Sequence, residues 1–298
     1  MKSYCKIFGI IGLVAAMAGC GDKGADPDTV GAAPYRILAI GNSFSEDAMR
    51  YMRDILVKNG VVIRNIDIVN AYIGGQTLAG HATNAQSNWA LYTRESFGTK
   101  GDITSINSVT LKAIIASNDW DYITLQQASG DSGKPATYKD TEIESLLDYI
   151  KEHSTNPNVK IGWHMTWAYA GTYDNSAFDG YGRNQTTMYN AIVQTVQDKI
   201  VPNDGFDFII PSGTAIQNAR TVYGDTLNSD GTHLNDTGRF IAGAMWLKKI
   251  YGMNVDVFTS PYQALNGYTI TLDDIEKIKQ CVQDACDAPF EVTDQQGQ

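Results

Sequence analysis

The chain is predicted to be an α/β protein built on a central, mostly parallel sheet of about five strands with helices on both faces. Short apolar, β-branched runs at Ile37–Ile40, Ile63–Val69, Tyr122–Leu125, Val159–Trp163 and Phe206–Ile210 read as strands covered on both sides. Helical periodicity fills the intervals, over Glu46–Lys58, Ser105–Ser117, Glu142–His153, Gln185–Ile200 and then Asp236–Tyr251. Strand–helix alternation with short connections implies parallel strands sandwiched between helices, and such sheets place their ligands beyond the carboxyl ends of the strands.

Before the first strand, Lys2 and Lys6 precede the apolar run Ile7–Met17, followed by Ala18-Gly19-Cys20. This reads as a signal peptide over residues 1–19, too short to span a bilayer as a stable helix. The stretch 20–34 is rich in Gly, Asp, Ala and Pro and reads as a flexible tether. Residues 35–298 form one predicted domain, about 265 residues being enough for a single well-buried core. Its last part is a C-terminal helical extension, with Thr271 as N-cap and Asp273 and Asp274 in the first turn. Cys281 and Cys286 sit near the end of that helix. On one continuous helix they face different ways, so a bridge between them requires the helix to stop in between. The net charge of −10, more negative once Lys2 and Lys6 are lost, argues against nucleic acid or other polyanions as partners.

Two motifs far apart in sequence carry the chemistry. Gly41-Asn42-Ser43-Phe44-Ser45 follows the first strand, and Asp230-Gly231-Thr232-His233 precedes the Asp236–Tyr251 helix. A serine hydroxyl becomes a useful nucleophile only when a base takes its proton, and a carboxylate must hold that base in the right tautomer. Ser43, His233 and Asp230 supply all three groups. Singly, each has a structural reading: Ser43 as a helix N-cap, Asp230-Gly231 as a turn, His233 as a structural histidine. His164 lies at the same sheet edge and competes as base or pocket wall, but it has no carboxylate three residues away. His81 is a further candidate substrate contact, and His153 sits on an exposed helix end. No histidine pair has metal-ligand spacing, so no metal is expected, and hydrolysis through an activated serine calls for no cofactor.

The order of these motifs resembles the SGNH hydrolases, the GDSL-like esterases, over about residues 35–253. Gly41-Asn42-Ser43 resembles their first block with Asn for Asp, and Asp230 with His233 meets their last. Asn70-Ala71-Tyr72-Ile73-Gly74-Gly75-Gln76-Thr77 resembles the second block. The resemblance implies a flavodoxin-like three-layer α/β/α sandwich and a Ser43–His233–Asp230 triad. It also implies an oxyanion hole from the backbone N–H groups of Ser43 and Gly75. The family's third block supplies an asparagine; here Gln126-Gln127 follows the third strand instead, and the amide of either is the candidate third donor. A cysteine after small residues similarly resembles a bacterial lipobox, with Met17 in place of the usual leucine. Cys20 would then carry lipid and anchor the protein in the cell envelope, outer-membrane, periplasmic or surface-facing.

Trp163, Trp167, Tyr169 and Tyr173 cluster after the fourth strand, and Trp167 and Tyr169 are candidate ring-stacking contacts for a sugar. The expected function is therefore a serine esterase removing O-acyl, most simply O-acetyl, groups from a small-molecule or polysaccharide carbohydrate ester. A lipid esterase or lysophospholipase, a non-catalytic glycan-binding lipoprotein on the same fold, and a flavodoxin-like cofactor binder are the other readings. Gly130-Asp131-Ser132-Gly133 imitates a nucleophile string but follows the wrong strand. Ser45 stands where the second glycine of a Gly-x-Ser-x-Gly elbow belongs, which argues against an α/β-hydrolase arrangement.

Overall fold

The computed structural model describes residues 34–295; the signal, tether and lipidation readings fall outside them. In chain order the elements are β1 (Tyr35–Gly41), α1 (Ser43–Met49), α2 (Met52–Lys58), β2 (Ile66–Tyr72), α3 (Leu78–Ser87), β3 (Tyr92–Phe97), β4 (Ile103–Val109), α4 (Leu111–Ile115), β5 (Tyr122–Leu125), α5 (Asp140–His153), β6 (Lys160–His164), α6 (Gln185–Lys199), β7 (Phe208–Ile210), α7 (Ser212–Tyr223), α8 (Asp236–Tyr251), β8 (Tyr262–Gln263), β9 (Thr269–Ile270) and α9 (Leu272–Asp287).

The main sheet has seven strands in the order β4-β3-β2-β1-β5-β6-β7. The five strands β2, β1, β5, β6 and β7 are parallel, while β3 runs antiparallel to β2 and β4 antiparallel to β3. This is the α/β/α sandwich expected from the alternation, extended at one edge by an antiparallel pair. Helices α1, α2, α7, α8 and α9 pack together on one side, and α3, α4 and α5 on the other. The core runs through both layers: Ile37, Leu38, Ala39 and Ile40 of β1 have no exposed surface, nor do Ile123 and Leu125 of β5. A fully apolar central strand follows from cover on both faces.

The Ser105–Ser117 helix is corrected. Its first half is the edge strand β4, whose side chains from Thr104 to Ser108 are exposed, and only Leu111–Ile115 is helical. The apolar spacing of Leu111, Ile114 and Ile115 comes from the helix alone, whereas an edge strand facing water carries no apolar signature. Likewise Glu46–Lys58 is two helices, broken at Arg50-Tyr51. The C-terminal helix forms with the Thr271–Asp274 capping box at its start. It continues past both cysteines, and Cys281 is a buried free thiol. The Cys281–Cys286 bridge does not form, because no helix end separates the two.

Parallel pairing brings the carboxyl ends of the central strands to one rim. Gly41 lies opposite Tyr72, and Leu125 lies opposite both Ile40 and Trp163. The segments that follow, Asn42-Ser43, Ile73–Gln76, Gln126-Gln127 and Met165 onward, therefore leave the sheet side by side.

Candidate active site

Ser43 is the first residue of α1, and Asn42 is its N-cap. Gly41 allows this tight exit: a Cβ there would stand 2.1 Å from the Ser45 hydroxyl oxygen. Asn42 is 1% exposed, and both of its side-chain polar atoms are hydrogen-bonded. Its Oδ1 accepts the Phe44 N–H at 3.0 Å and a Gln126 Nε2–H at 2.7 Å. Its Nδ2 donates to the Gln76 carbonyl at 3.2 Å. An aspartate could make the two accepted bonds but not the third. The Asn-for-Asp difference in the first block is thus matched to the Gln76 carbonyl beside it.

Asp230 and His233 sit on a tight loop. Asp230 Oδ1 accepts the backbone N–H of Thr232 at 2.9 Å, the Thr232 hydroxyl at 3.0 Å and the His233 N–H at 2.8 Å. Its Oδ2 is 2.6 Å from His233 Nδ1, and His233 Nε2 is 2.8 Å from Ser43 Oγ. Partial burial works against the charge on Asp230, but these bonds outweigh it and hold its carboxyl well below the usual range. An ionised carboxylate only accepts, so Nδ1 carries the imidazole proton and Nε2 is left to accept from the Ser43 hydroxyl. The three groups expected to act together are in hydrogen-bonded series.

The loop bearing them is a closed hairpin. Ser229 N–H donates to the His233 carbonyl at 2.8 Å and Asn235 N–H to the Leu227 carbonyl at 2.9 Å. Trp167 Nε1 donates to the Thr232 carbonyl at 2.9 Å, and Ala170 N–H to the Gly231 carbonyl at 2.8 Å. Gly231 has φ of +92° and presses against the Tyr173 ring, so a side chain there would be both strained and obstructed.

Gly75, with φ of +63°, lies in the exposed turn after β2, closed by Gln76 N–H to the Ile73 carbonyl. A second bond, Ile73 N–H to the Gly41 carbonyl at 3.2 Å, ties this turn to the Ser43 exit.

The two glutamines are not free donors, which corrects the third position of the oxyanion hole. Gln126 is 1% exposed: Nε2 donates to Asn42, and Oε1 receives the Ser45 hydroxyl at 2.5 Å and faces His164 Nδ1 at 2.9 Å. Gln127 Nε2 donates to the carbonyl and hydroxyl of Thr137, while its Oε1 accepts the Leu78 and Ala128 N–H groups. The Gln126 amide ties the end of β5 to Asn42 after β1 and to His164 at the end of β6, the Gln127 amide ties it to the start of α3 and to Thr137, and neither reaches solvent.

The four candidate substrate contacts, His81, His164, Trp167 and Tyr169, are corrected as well, since all are buried. His81 Nδ1 contacts the Tyr92 hydroxyl at 2.9 Å. His164 packs edge-on to Trp246. Burial alone pushes both imidazoles down to about 3, so His164 is neutral and no rival to His233 as base. Trp167 stacks on Phe44 with ring centroids 4.4 Å apart, and the Tyr169 hydroxyl contacts that of Ser129. Aromatic clustering in sequence marked core here, not a platform.

Sequence reading missed Asp47. Its carboxylate, 2% exposed, accepts the Leu234 N–H and an Arg239 Nε–H, each at 2.7 Å. A buried carboxylate one helical turn after the serine is visible in sequence only as an acidic residue near a helix start.

Asn42→Asp is predicted to lower stability by about 1–3 kcal/mol, because it sets a buried charge against the Gln76 carbonyl; urea unfolding at pH 7 measures it. The two buried histidines predict a second effect. Their folded values lie below the ordinary 6.5, so the unfolded chain binds more protons between about pH 6.5 and 3. Stability should fall as pH drops through that window, by up to about 1.4 kcal/mol per pH unit for each histidine. Urea midpoints at pH 7 and 5 test this, and replacing either His81 or His164 by Gln should flatten the slope.

The profile of the family described as a domain of unknown function, DUF4886, matches residues 36–269. A crystal structure of a DUF4886 family protein from Bacteroides uniformis is 34% identical, covers 89% of this chain and 99% of its own, and superposes with a TM-score of 0.79. A catalytic mutant of an acetylxylan esterase from Geobacillus stearothermophilus aligns at 15% identity and TM-score 0.44, over 74% of this chain and 95% of its own. A family 3 carbohydrate esterase from Clostridium thermocellum aligns at 15% and 0.44, over 72% and 94%. No curated protein matches the chain. With its profile match across most of the domain and a 34% identical relative of the same architecture, the chain belongs to the DUF4886 family.

Proposed function

We propose that this protein is a serine esterase that removes short acyl groups, most simply acetyl, from the hydroxyls of carbohydrates. The observation that carries the reading is the unbroken series from Ser43 Oγ through His233 to Asp230, at 2.8 and 2.6 Å. In the proposed mechanism Ser43 Oγ attacks the ester carbonyl carbon while His233 Nε2 takes its proton. Asp230 stabilises the imidazolium. The oxyanion of the tetrahedral intermediate is met by the backbone N–H groups of Ser43 and Gly75, the first also favoured by its position at a helix start. The carbon–oxygen bond to the leaving alcohol then breaks, and that alcohol takes the proton from His233. Water, deprotonated by the same imidazole, cleaves the acyl-enzyme and restores Ser43.

Support for the substrate class comes from exposure. The Asp230 side chain is 53% exposed and that of His233 37%, so this side of the site is open to solvent. An open rim suits a small acyl group on a large, hydrated alcohol, with the sugar remaining in water. The net negative charge favours neutral esters over anionic ones.

Hydrolysis of p-nitrophenyl acetate is predicted to fall by about 10³-fold or more in Ser43→Ala, and acetate should be released from an acetylated polysaccharide by the native protein only. Equal rates in the two proteins would end the esterase reading; release from phospholipid but not from polysaccharide would end the carbohydrate assignment. We further propose a lipid on Cys20 in the cell envelope. No helix among the described residues is long and apolar enough to cross a membrane. Metabolic labelling with a radioactive fatty acid should mark the wild-type chain and not Cys20→Ser; equal labelling refutes the assignment.

A further inference from the structure

We infer that Asp47 is a positioning residue for His233, fixing the distance between base and nucleophile through a buried three-way junction with Leu234 and Arg239. This rests on the esterase reading of Ser43 and His233.

The geometry is direct. Ser43 and Asp47 lie one turn apart on α1, so both point from the same face of one short helix. His233 and Leu234 are neighbours on the loop. Ser43 Oγ meets His233 Nε2 at 2.8 Å, and Asp47 Oδ2 accepts the Leu234 N–H at 2.7 Å. Two successive loop residues are thus tied to two successive turns of the helix. The first tie is the bond that must change during turnover; the second is buried and has no part in proton transfer. The other Asp47 oxygen is held by Arg239 Nε at 2.7 Å, and Arg239 Nη1 lies 3.5 Å from Asp236 in the first turn of α8. Asp236 in turn accepts from the Tyr51 hydroxyl and from Asn266 Nδ2. The junction therefore joins α1, the histidine loop, the start of α8 and the 262–270 hairpin.

The carboxylate is specifically required. Both of its partners are donors, and an asparagine has only one acceptor oxygen, so Asp47→Asn must turn its NH2 toward either the guanidinium or the Leu234 N–H. Burial pushes the Asp47 carboxyl up, and Arg239, the Leu234 N–H and the nearby His233 act against that, so the charged form depends on the partners it organises.

The test compares native protein, Ser43→Ala, Asp47→Asn and the double variant Asp47→Asn/Arg239→Gln. In the double variant the second substitution replaces the guanidinium by an amide whose oxygen can accept from the new NH2 at position 47. That leaves the remaining oxygen at position 47 free for the Leu234 N–H. With p-nitrophenyl acetate, Asp47→Asn should lower kcat by about 10- to 100-fold with KM changed by less than about threefold, the signature of lost alignment and not of lost binding. The double variant should recover most of that loss. A kcat within about threefold of native in Asp47→Asn, or a loss confined to KM, overturns the proposal. A double variant no better than the single one also overturns it.

Amide hydrogen exchange supplies a readout independent of turnover. In the native protein the Leu234 amide should exchange at least about 100-fold more slowly than that of Gly231 in the same loop, and Asp47→Asn should speed exchange across 229–235 while leaving β1 and β5 protected. Comparable native rates at Leu234 and Gly231 refute the junction even if neither variant folds. Native activity no greater than that of Ser43→Ala would instead refute the esterase reading and leave the exchange result to decide the role of Asp47.

Discussion

One side-chain amide, that of Asn42, joins the ends of three strands, and the arrangement of the rim depends on it. It caps α1, which β1 feeds; it receives the amide of Gln126, which leaves β5; and it donates to Gln76, which follows β2. The backbone carbonyl of the same residue accepts from Asn70 Nδ2 and from the Glu46 N–H. Buried polar groups are costly when left unpaired, and both polar atoms of the Asn42 side chain have partners, drawn from the segments that follow both neighbouring strands. The glycine turn and the serine helix are therefore placed relative to each other by a neutral, buried amide and not by exposed charges.

The histidine loop follows a different rule, because its Asp230 and His233 side chains are exposed. Its exposed carboxylate is ionised not by burial beside a cation but by four hydrogen bonds from its own loop. The loop is then held from two directions: Trp167 and Ala170 grip the carbonyls of Thr232 and Gly231, and Asp47 grips the N–H of Leu234. Phe44, between Ser43 and Ser45 in sequence, stacks on that same Trp167. The indole therefore contacts the serine segment with its face and the histidine loop with its edge. Preorganisation of this kind holds the exposed Ser43–His233–Asp230 series in one geometry.

Much of this was legible in sequence, and the failures have physical causes. β1, β5 and β6 were readable because strands buried on both faces are apolar runs, and α8 through its helical periodicity over Asp236–Tyr251, which the structure bounds with the Asn235 N-cap and Gly252. β3 was invisible: Thr93-Arg94-Glu95 is polar although Glu95 is buried, its carboxyl held by Asn70. α3 was missed for a similar reason, since His81 and Asn84 occupy core positions that periodicity expects to be apolar. Ser43, Asp230 and His233 could be found because each motif is organised locally, by a cap or by a self-bonded loop. The misassigned residues, Gln126, Gln127, His81, His164, Trp167 and Tyr169, depend on partners in other elements, from 10 residues away for Gln127 and Thr137 to 84 for Gln126 and Asn42. Composition shows that a polar or aromatic side chain sits near a strand end, and not whether it turns outward to ligand or inward to another strand. Asp47 is the same problem from the other side, its partners lying in a segment 187 and 192 residues downstream.

The inward turn of Gln126 says something about how the chemistry is divided. In the SGNH pattern the segment after this strand contributes a side-chain amide to the substrate. Here the amide faces Asn42, Ser45 and His164 and completes a buried network beneath the serine. A side-chain donor must itself be held in one rotamer to stabilise charge without reorganising, whereas a backbone N–H in a closed turn is already fixed. The proposed oxyanion site rests on two such backbone groups, Ser43 at a capped helix start and Gly75 in a turn anchored to β1. The polar side chains that would otherwise reach the substrate instead keep those two backbone segments in place. On this view the rim acts through short local motifs, and the surrounding glutamines, histidines and aromatics serve the chemistry by being inaccessible to it.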